Sequence, residues 1–319
     1  MENSFNCPCC QSNDWCTVQQ CHYKNQPNES IENNYHKYIL SLRHQVLFNV
    51  WFPNQSKVVL TAIYCKICGF MCYSPRPNQK DLEAKYQYII ARKNIGPLPN
   101  HSPRALKLDQ KRASFMKDTI AKHHSIESQK VLDVGGLDGR FLKPFLERDC
   151  SCYLVDFNQK PYPGVERIGS TLDDIPAGTL FDILICSHVL EHVSEPGEFL
   201  RQLCSFLAPN GVVYIEVPLE VYEGIAIKTD PVTHINFFTV NSLKNALLLN
   251  GHRPLSIKGR FSSYNGKYKR VAWAVSSAAE IKTSLSKVSS INTKRLVNPG
   301  ALSKLIRGAE NYWLKWVLN

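Results

Sequence analysis

From Lys130 onward, short apolar runs alternate with helix-like stretches, and this alternation leaves the chain few folds to adopt. Strands are predicted at "KVLDVGG", "CSCYLVDF", "FDILICSHV" and "GVVYIEVP", with helices near 139–148, 196–207 and 239–250. Strands that alternate with helices build a parallel sheet covered on both faces. The last two apolar runs, "RPLSIKGRF" and "KRVAWAVSS", are separated only by "SSYNGKY". That spacer is too short for a helical crossover, so an antiparallel hairpin at the sheet edge is predicted. No internal repeat is present.

Within this region, "VLDVGGLDGRFL" reads as a buried strand, a glycine loop and the start of a helix. It is neither the G-x-G-x-x-G of a dinucleotide loop nor a P-loop ending in Gly-Lys-Ser/Thr. Its glycines are Gly135, Gly136 and Gly139, and it carries Asp133 and Asp138. Two carboxylates repel a pyrophosphate at close range and suit a ligand with an ammonium or sulfonium group. The next strand ends in "YLVDFN", which supplies Asp156 and Phe157. An acid at that position accepts hydrogen bonds from ribose hydroxyls. A positively charged nucleoside without phosphate is S-adenosylmethionine.

Taken in order, "VLDVGGLDGRFL", "YLVDFN", "FDILICSHVLEHV" and "LAPNGVVYIEVP" resemble the successive motifs of class I S-adenosylmethionine-dependent methyltransferases over about residues 128–275. The resemblance implies a Rossmann-like seven-stranded sheet whose last strand pair is antiparallel. It implies that Asp133, Gly135, Gly136, Asp138 and Gly139 line the methionine end of the cofactor and that Asp156 holds the ribose. Leu172 or its neighbours Asp173 and Asp174 would flank the adenine, and Phe157 would also bind the cofactor. Ser187 and His188 would stand near the sulfonium. One departure is Leu137, which occupies a position where the family usually has glycine.

The cysteines concentrate near the start: eight of twelve precede residue 73. "CPCC" and "CKICG" each contain a C-x-x-C pair, Cys7/Cys10 and Cys65/Cys68. Two such knuckles can close a tetrahedral zinc site. Residues 22–56 read as an insertion between them, and Cys9, Cys16, Cys21 and Cys72 are the alternative ligands. The stretch "CKICGFMCYSPRPNQKDLEAKYQYI" resembles the end of a zinc-binding module that precedes methyltransferases of nucleotide sugars, polysaccharides and related metabolites. "DPVTHINFFTVNSLKNALLLNGH" resembles that family's segment between strand five and the next helix. It keeps only the last histidine, His234, of the sugar C-methyltransferase signature. O-methylation of a small molecule or glycan is therefore expected in preference to C-methylation. His234 is the first candidate for the general base, with His188, Glu191 and His192 as further candidates.

A helix is predicted from Asp81, a proline-bearing linker over 93–103 and a second helix over 104–124, ending at His123 and His124. The expected organisation is a zinc module (1–80), a helical linker (81–127), the methyltransferase domain (128–278) and an amphipathic helical tail (279–319). The tail's apolar stripe, Leu302, Leu305, Ile306, Ala309, Trp313 and Trp316, suits packing on the body or a homodimer contact. Peripheral membrane contact is the alternative for such a helix. The formal charge of +11 admits acidic partners. Nucleic acid is not favoured, because the basic residues are dispersed without interleaved aromatics. An RNA methyltransferase with a zinc ribbon and a non-catalytic protein of this fold remain the alternative readings. No run of apolar residues is long enough to span a bilayer, and the N-terminus lacks the pattern of a signal peptide. A cytoplasmic location is expected.

Overall fold

The computed structural model describes residues 5–25, 35–92, 103–158, 160–220, 231–264 and 267–281. The amphipathic stripe at 302–316 and most of the linker at 93–103 lie outside these. The amino-terminal part holds β1 (Trp15–Lys24), α1 (Tyr35–Val46), β2 (Lys57–Cys65) and β3 (Met71–Ser74). Two helices follow, α2 (Gln79–Arg92) and α3 (Pro103–Ile120). Then come β4 (Lys130–Val134), α4 (Lys143–Leu146), β5 (Ser151–Val155), β6 (Val165–Gly169), β7 (Phe181–Ser187) and α5 (Pro196–Ser205). The described chain closes with β8 (Leu207–Pro218), α6 (Val240–Leu249), β9 (His252–Tyr264) and β10 (Lys267–Ala278).

Seven strands form one sheet in the order β6-β5-β4-β7-β8-β10-β9. The pairs among β6, β5, β4, β7 and β8 are parallel. β10 runs antiparallel to both β8 and β9, so the closing hairpin sits at one edge. Alternation explains how the sheet buries two faces. Val131, Ile183, Ile185, Val212 and Tyr214 turn to one side, where Met116 and Ile120 of α3 cover them. Leu132, Leu184, Cys186, Val213 and Ile215 turn to the other, against Leu200 and Leu203 of α5 and Leu243 and Leu247 of α6. Period-two side-chain placement on a doubly covered sheet requires both sets to be apolar.

The structure differs from the expected elements at several points. The helix predicted over 139–148 shrinks to a 3-10 turn at Arg140–Leu142 and the four residues of α4. Gly139 enters it in the left-handed region and Asp149 leaves it there, so regular helix cannot extend past either. α3 stops at Ile120, before His123 and His124. His123 instead meets Ser256 Oγ at 2.9 Å, and His124 the carbonyl of Ser125 at 2.7 Å. β6, "VERIG", was not predicted, because only two of its five residues are apolar and it ends the sheet.

The amino-terminal strands form their own antiparallel sheet, β1-β2-β3. Trp15 pairs with Cys65, which places the loop before β1 beside the turn after β2. The apolar core is continuous from this turn into the larger sheet: Cys65, Cys68 and Phe70 share one buried cluster with Leu200, Leu243 and Leu247. Polar contacts span the same seam. Asn250 Nδ2 donates to the Cys9 carbonyl, and the Gly197 amide to the Pro8 carbonyl.

Candidate functional site

In an open parallel sheet, ligands bind at the carboxyl ends of the strands. There β4 turns sharply at Gly135, which adopts φ +70°, and a Cβ on it would come within 2.5 Å of Val189. A Cβ on Gly136 would fall inside the Asp133 carboxylate. The loop therefore lies directly on Asp133, which is buried with Oδ2 lacking a partner. Burial raises the Asp133 pKa to about 7 against the opposing charge of Arg112. A buried acid with an orphaned oxygen beneath a glycine loop fits a ligand that brings its own donor.

The second loop acid behaves differently. Asp138 is gripped by Arg140, Nε to Oδ1 at 2.9 Å and Nη2 to Oδ2 at 2.7 Å. Its charge is thus largely spent within the loop, and Asp133 is the acid left without a partner there. Asp156 closes β5. Its Oδ2 accepts the Leu137 amide at 2.9 Å and its Oδ1 the Asn158 amide at 2.8 Å, which fixes the carboxylate at the strand end. Phe157 beside it is two-thirds exposed. Leu172 is buried at the start of a 3-10 turn closed by a Thr171–Asp174 capping box.

Leu137 occupies the left-handed region at φ +59°, and its side chain is 56% exposed. It points away from the protein body, and only its amide serves the loop. The left-handed conformation costs a non-glycine residue about 1–2 kcal/mol, whereas glycine gains unfolded-state entropy of similar size. We therefore expect Leu137→Gly to change stability by no more than about 1 kcal/mol. Calorimetry should show its affinity for S-adenosylhomocysteine within a few-fold of wild type. Binding more than tenfold tighter would show that Leu137 obstructs the cleft.

Ser187 and His188 end β7. Ser187 Oγ accepts from Arg112 Nη2 at 2.6 Å, and the same guanidinium pairs with Glu216 at 2.7 Å. His188, at φ +59°, is wedged between two buried acids, with Nδ1 3.1 Å from Glu191 and Nε2 3.6 Å from Glu216. Burial alone would lower its pKa, but the Glu191 and Glu216 carboxylates outweigh burial and raise it. Burial likewise opposes ionisation of Glu191, yet His188 holds that carboxyl down at about 2. With Nδ1 engaged by Glu191 and both carboxylates favouring its protonated form, His188 is a poor base for an incoming hydroxyl.

His234 is arranged otherwise. Its Nδ1 lies 2.7 Å from Glu220 Oε2, just beyond the end of β8. A carboxylate accepts, so Nδ1 donates and the neutral ring keeps a lone pair on Nε2. The His192 ring is 4.7 Å away, steeply tilted, with its own Nδ1 donating to the Thr233 carbonyl at 2.8 Å. Burial, against the attraction of Glu191, drives the His192 pKa down to about 3. One ligating atom each from Glu191, His192 and His234 lies within 4.8 Å of the others. Sequence reasoning named the histidines but not Glu220, Arg112, Glu216 or Lys85, which reach the site from distant elements.

At the other end, one Sγ from each of Cys7, Cys10, Cys65 and Cys68 lies within 4.8 Å of the rest. Cys7 meets Cys68 at 3.5 Å and Cys10 meets Cys65 at 3.4 Å. A tetrahedron with bonds of about 2.3 Å has edges of about 3.8 Å, so these four thiols have the dimensions of a zinc site. Hydrogen bonds from its neighbours pull the Cys65 pKa down, while burial pushes Cys7 up. Four crowded thiols share few negative charges unless a cation joins them. Of the alternative ligands, Cys72 lies buried on β3 and Cys16 and Cys21 lie on β1, while Cys9 is buried beside Cys7 but outside the group of four.

A glycine loop over a buried acid, with a second acid closing the neighbouring strand, defines an α/β domain built for a nucleoside-bearing ligand. Residues 108–257, from α3 into β9, match the family model described as "Methyltransferase domain". Among curated relatives, a "Ubiquinone biosynthesis O-methyltransferase" of Rickettsia canadensis is 24% identical over 116 residues, 33% of this chain and 49% of that protein. The mitochondrial protein so named from Schizosaccharomyces pombe is 26% identical over 119 residues, 33% of this chain and 43% of that protein. The chain spans about half the length of the curated relatives it matches. Among solved structures, magnesium protoporphyrin IX methyltransferase from Synechocystis aligns with a TM-score of 0.42 and 17% identity, over 60% of this chain and 94% of that one. No helix among the described residues is long and apolar enough to cross a membrane.

Proposed function

We propose that this chain transfers a methyl group from S-adenosylmethionine to a hydroxyl oxygen of a small-molecule acceptor. The observation that carries the reading is the pairing of two features beyond the carboxyl ends of the parallel strands: a glycine loop with Asp133 and Asp156, and a carboxylate-oriented histidine at His234. Bound at that loop, the cofactor supplies an electrophilic methyl group on sulfur. Asp133 accepts from the ammonium, Asp156 accepts from the ribose hydroxyls, and Phe157 and Leu172 flank the base. His234 Nε2 takes the acceptor's proton, and Glu220 stabilises the resulting imidazolium. Transfer is in-line, so alignment supplies much of the rate. Two curated relatives named as O-methyltransferases support oxygen as the methylated atom. The resemblance of the zinc module to that of sugar-modifying enzymes keeps sugars and glycans among the acceptors. The four cysteines hold one zinc ion as a structural element.

The test begins with the cofactor. Calorimetry should show S-adenosylhomocysteine binding to the wild type, weakened about 10–100-fold by Asp156→Ala, the value of one or two hydrogen bonds to a charged group. No binding at millimolar ligand would end the methyl-transfer reading. Isotope-labelled S-adenosylmethionine incubated with lysate fractions then identifies the acceptor, and a label on nitrogen or carbon would overturn the assignment to oxygen.

A further inference from the structure

The segment that carries His234 is held from two sides. On the methyltransferase side, the Ile235 amide donates to the Glu191 carbonyl, and Asn236 Nδ2 donates to the carbonyls of Leu190 and Val193. The other side is the amino-terminal part of the chain. Met71 and Phe237 exchange both backbone hydrogen bonds, at 3.2 and 3.0 Å. Arg76 donates to the Ile235 carbonyl and to Asn236 Oδ1. Between them, Lys85 of α2 donates to the Val232 carbonyl at 2.6 Å and the Thr233 carbonyl at 3.3 Å.

Lys85 is unusual in its surroundings. It is only 4% exposed, with the Tyr86 ring 5.0 Å and the Trp51 ring 5.9 Å from its ammonium. Burying an ammonium is costly unless its hydrogen bonds and rings compensate. A hydrocarbon of the same length would fill the space without that cost, so packing does not account for the charge. Val232 and Phe237 pack into the amino-terminal core with Leu60, Met71 and Tyr73, while a cavity lined by Trp51, Tyr73, Arg76, Pro231 and Ile235 borders the same seam. Within that seam Lys85 grips the two carbonyls immediately before His234. The Thr233 carbonyl that Lys85 engages is also the acceptor for His192. One ammonium thus bears on both rings of the histidine pair.

We propose that Lys85 is a positioning residue of the acceptor site, through which the amino-terminal part of the chain fixes the backbone that presents His234. This rests on the methyl-transfer reading for its catalytic consequence, but not for its structural one. The experiment uses the full chain with Lys85→Met, Lys85→Arg and, as a charge control on the same helix, the exposed Lys80→Met. Hydrogen–deuterium exchange of residues 231–237 should quicken about 10–100-fold in Lys85→Met, the loss expected for charge-assisted hydrogen bonds. Affinity for S-adenosylhomocysteine should stay within twofold. With 3,4-dihydroxybenzoate as the probe acceptor, kcat should fall about 10–100-fold, in step with the lost hold on the segment, at unchanged KM for S-adenosylmethionine. Lys85→Arg should restore most of both, and Lys80→Met should match the wild type. Wild-type exchange over 231–237 in Lys85→Met would overturn the proposal, as would faster exchange spread evenly over the chain. So would unaltered kcat on a probe that the wild type methylates. A wild type inactive on the probe excludes only this catechol as acceptor, and the exchange measurement by itself then decides the role of Lys85.

Discussion

His234→Ala is expected to slow methyl transfer about 10²–10⁴-fold, the usual contribution of a general base. That corresponds to roughly 2.7–5.5 kcal/mol of barrier. The expectation rests on the Glu220–His234 pair, 2.7 Å apart, in which the acid fixes the tautomer and steadies the proton that Nε2 acquires. His192 alongside is neutral near pH 7, since burial holds its pKa at about 3, and it places no opposing charge against that proton. Affinity for S-adenosylhomocysteine should hardly change, because the cofactor cleft lies at β4 and β5. His234→Asn and His234→Gln discriminate base from prop. Each preserves a hydrogen bond to Glu220 without a basic nitrogen, so each should be about as slow as His234→Ala. Near-wild-type single turnovers in either, measured on the acceptor found by labelling, would remove His234 from the catalytic list.

Loss of the metal from the cysteine cluster should have a larger effect on the fold. Protein purified without chelator is expected to contain one zinc per chain by elemental analysis, and Cys65→Ser close to none. Structural zinc contributes about 10–16 kcal/mol to the folded form of small modules, as much as a typical domain's whole stability of about 5–15 kcal/mol. The cluster stands at one end of the sheet β1-β2-β3. Its Cys65 and Cys68 share a core with α5 and α6, so the damage should spread to the docking of the two sheets. Strong chelation should abolish the protection of β1–β3 against hydrogen exchange while β4, β5 and β7 retain theirs. Wild-type protein with no bound zinc and a protected β1–β3 sheet would refute a structural metal.

Much of the fold was legible because its causes are local. β4, β5, β7 and β8 are continuous apolar runs, and a run of that kind must be covered on both sides wherever it ends up. The closing hairpin followed from a spacer too short to cross a sheet. Cys7, Cys10, Cys65 and Cys68 were readable from two knuckles whose spacing is itself the chemistry. β6 was not legible, because an edge strand buries too little to need an apolar sequence. The helix after the glycine loop was overestimated, because left-handed turns at Gly139 and Asp149 cut it short.

The site divides along the same line. Asp133, Gly135, Gly136 and Asp156 follow from a strand-end register that the sequence by itself determines, since strand, loop and acid are near neighbours in the chain. The sequence alone also named His234 as the first candidate base and His188 as a further one, from their places in the chain. The tertiary structure supplied the geometry that sets them apart. It wedged His188 between Glu191 and Glu216, and left His234 with one carboxylate and a nitrogen carrying a lone pair. It likewise brought Arg112 across 104 residues to Glu216 and Lys85 across 147 to Val232. Such pairings leave no periodic trace. A buried charge is compensated by whatever groups the folded chain sets beside it, and no local spacing encodes which groups those are.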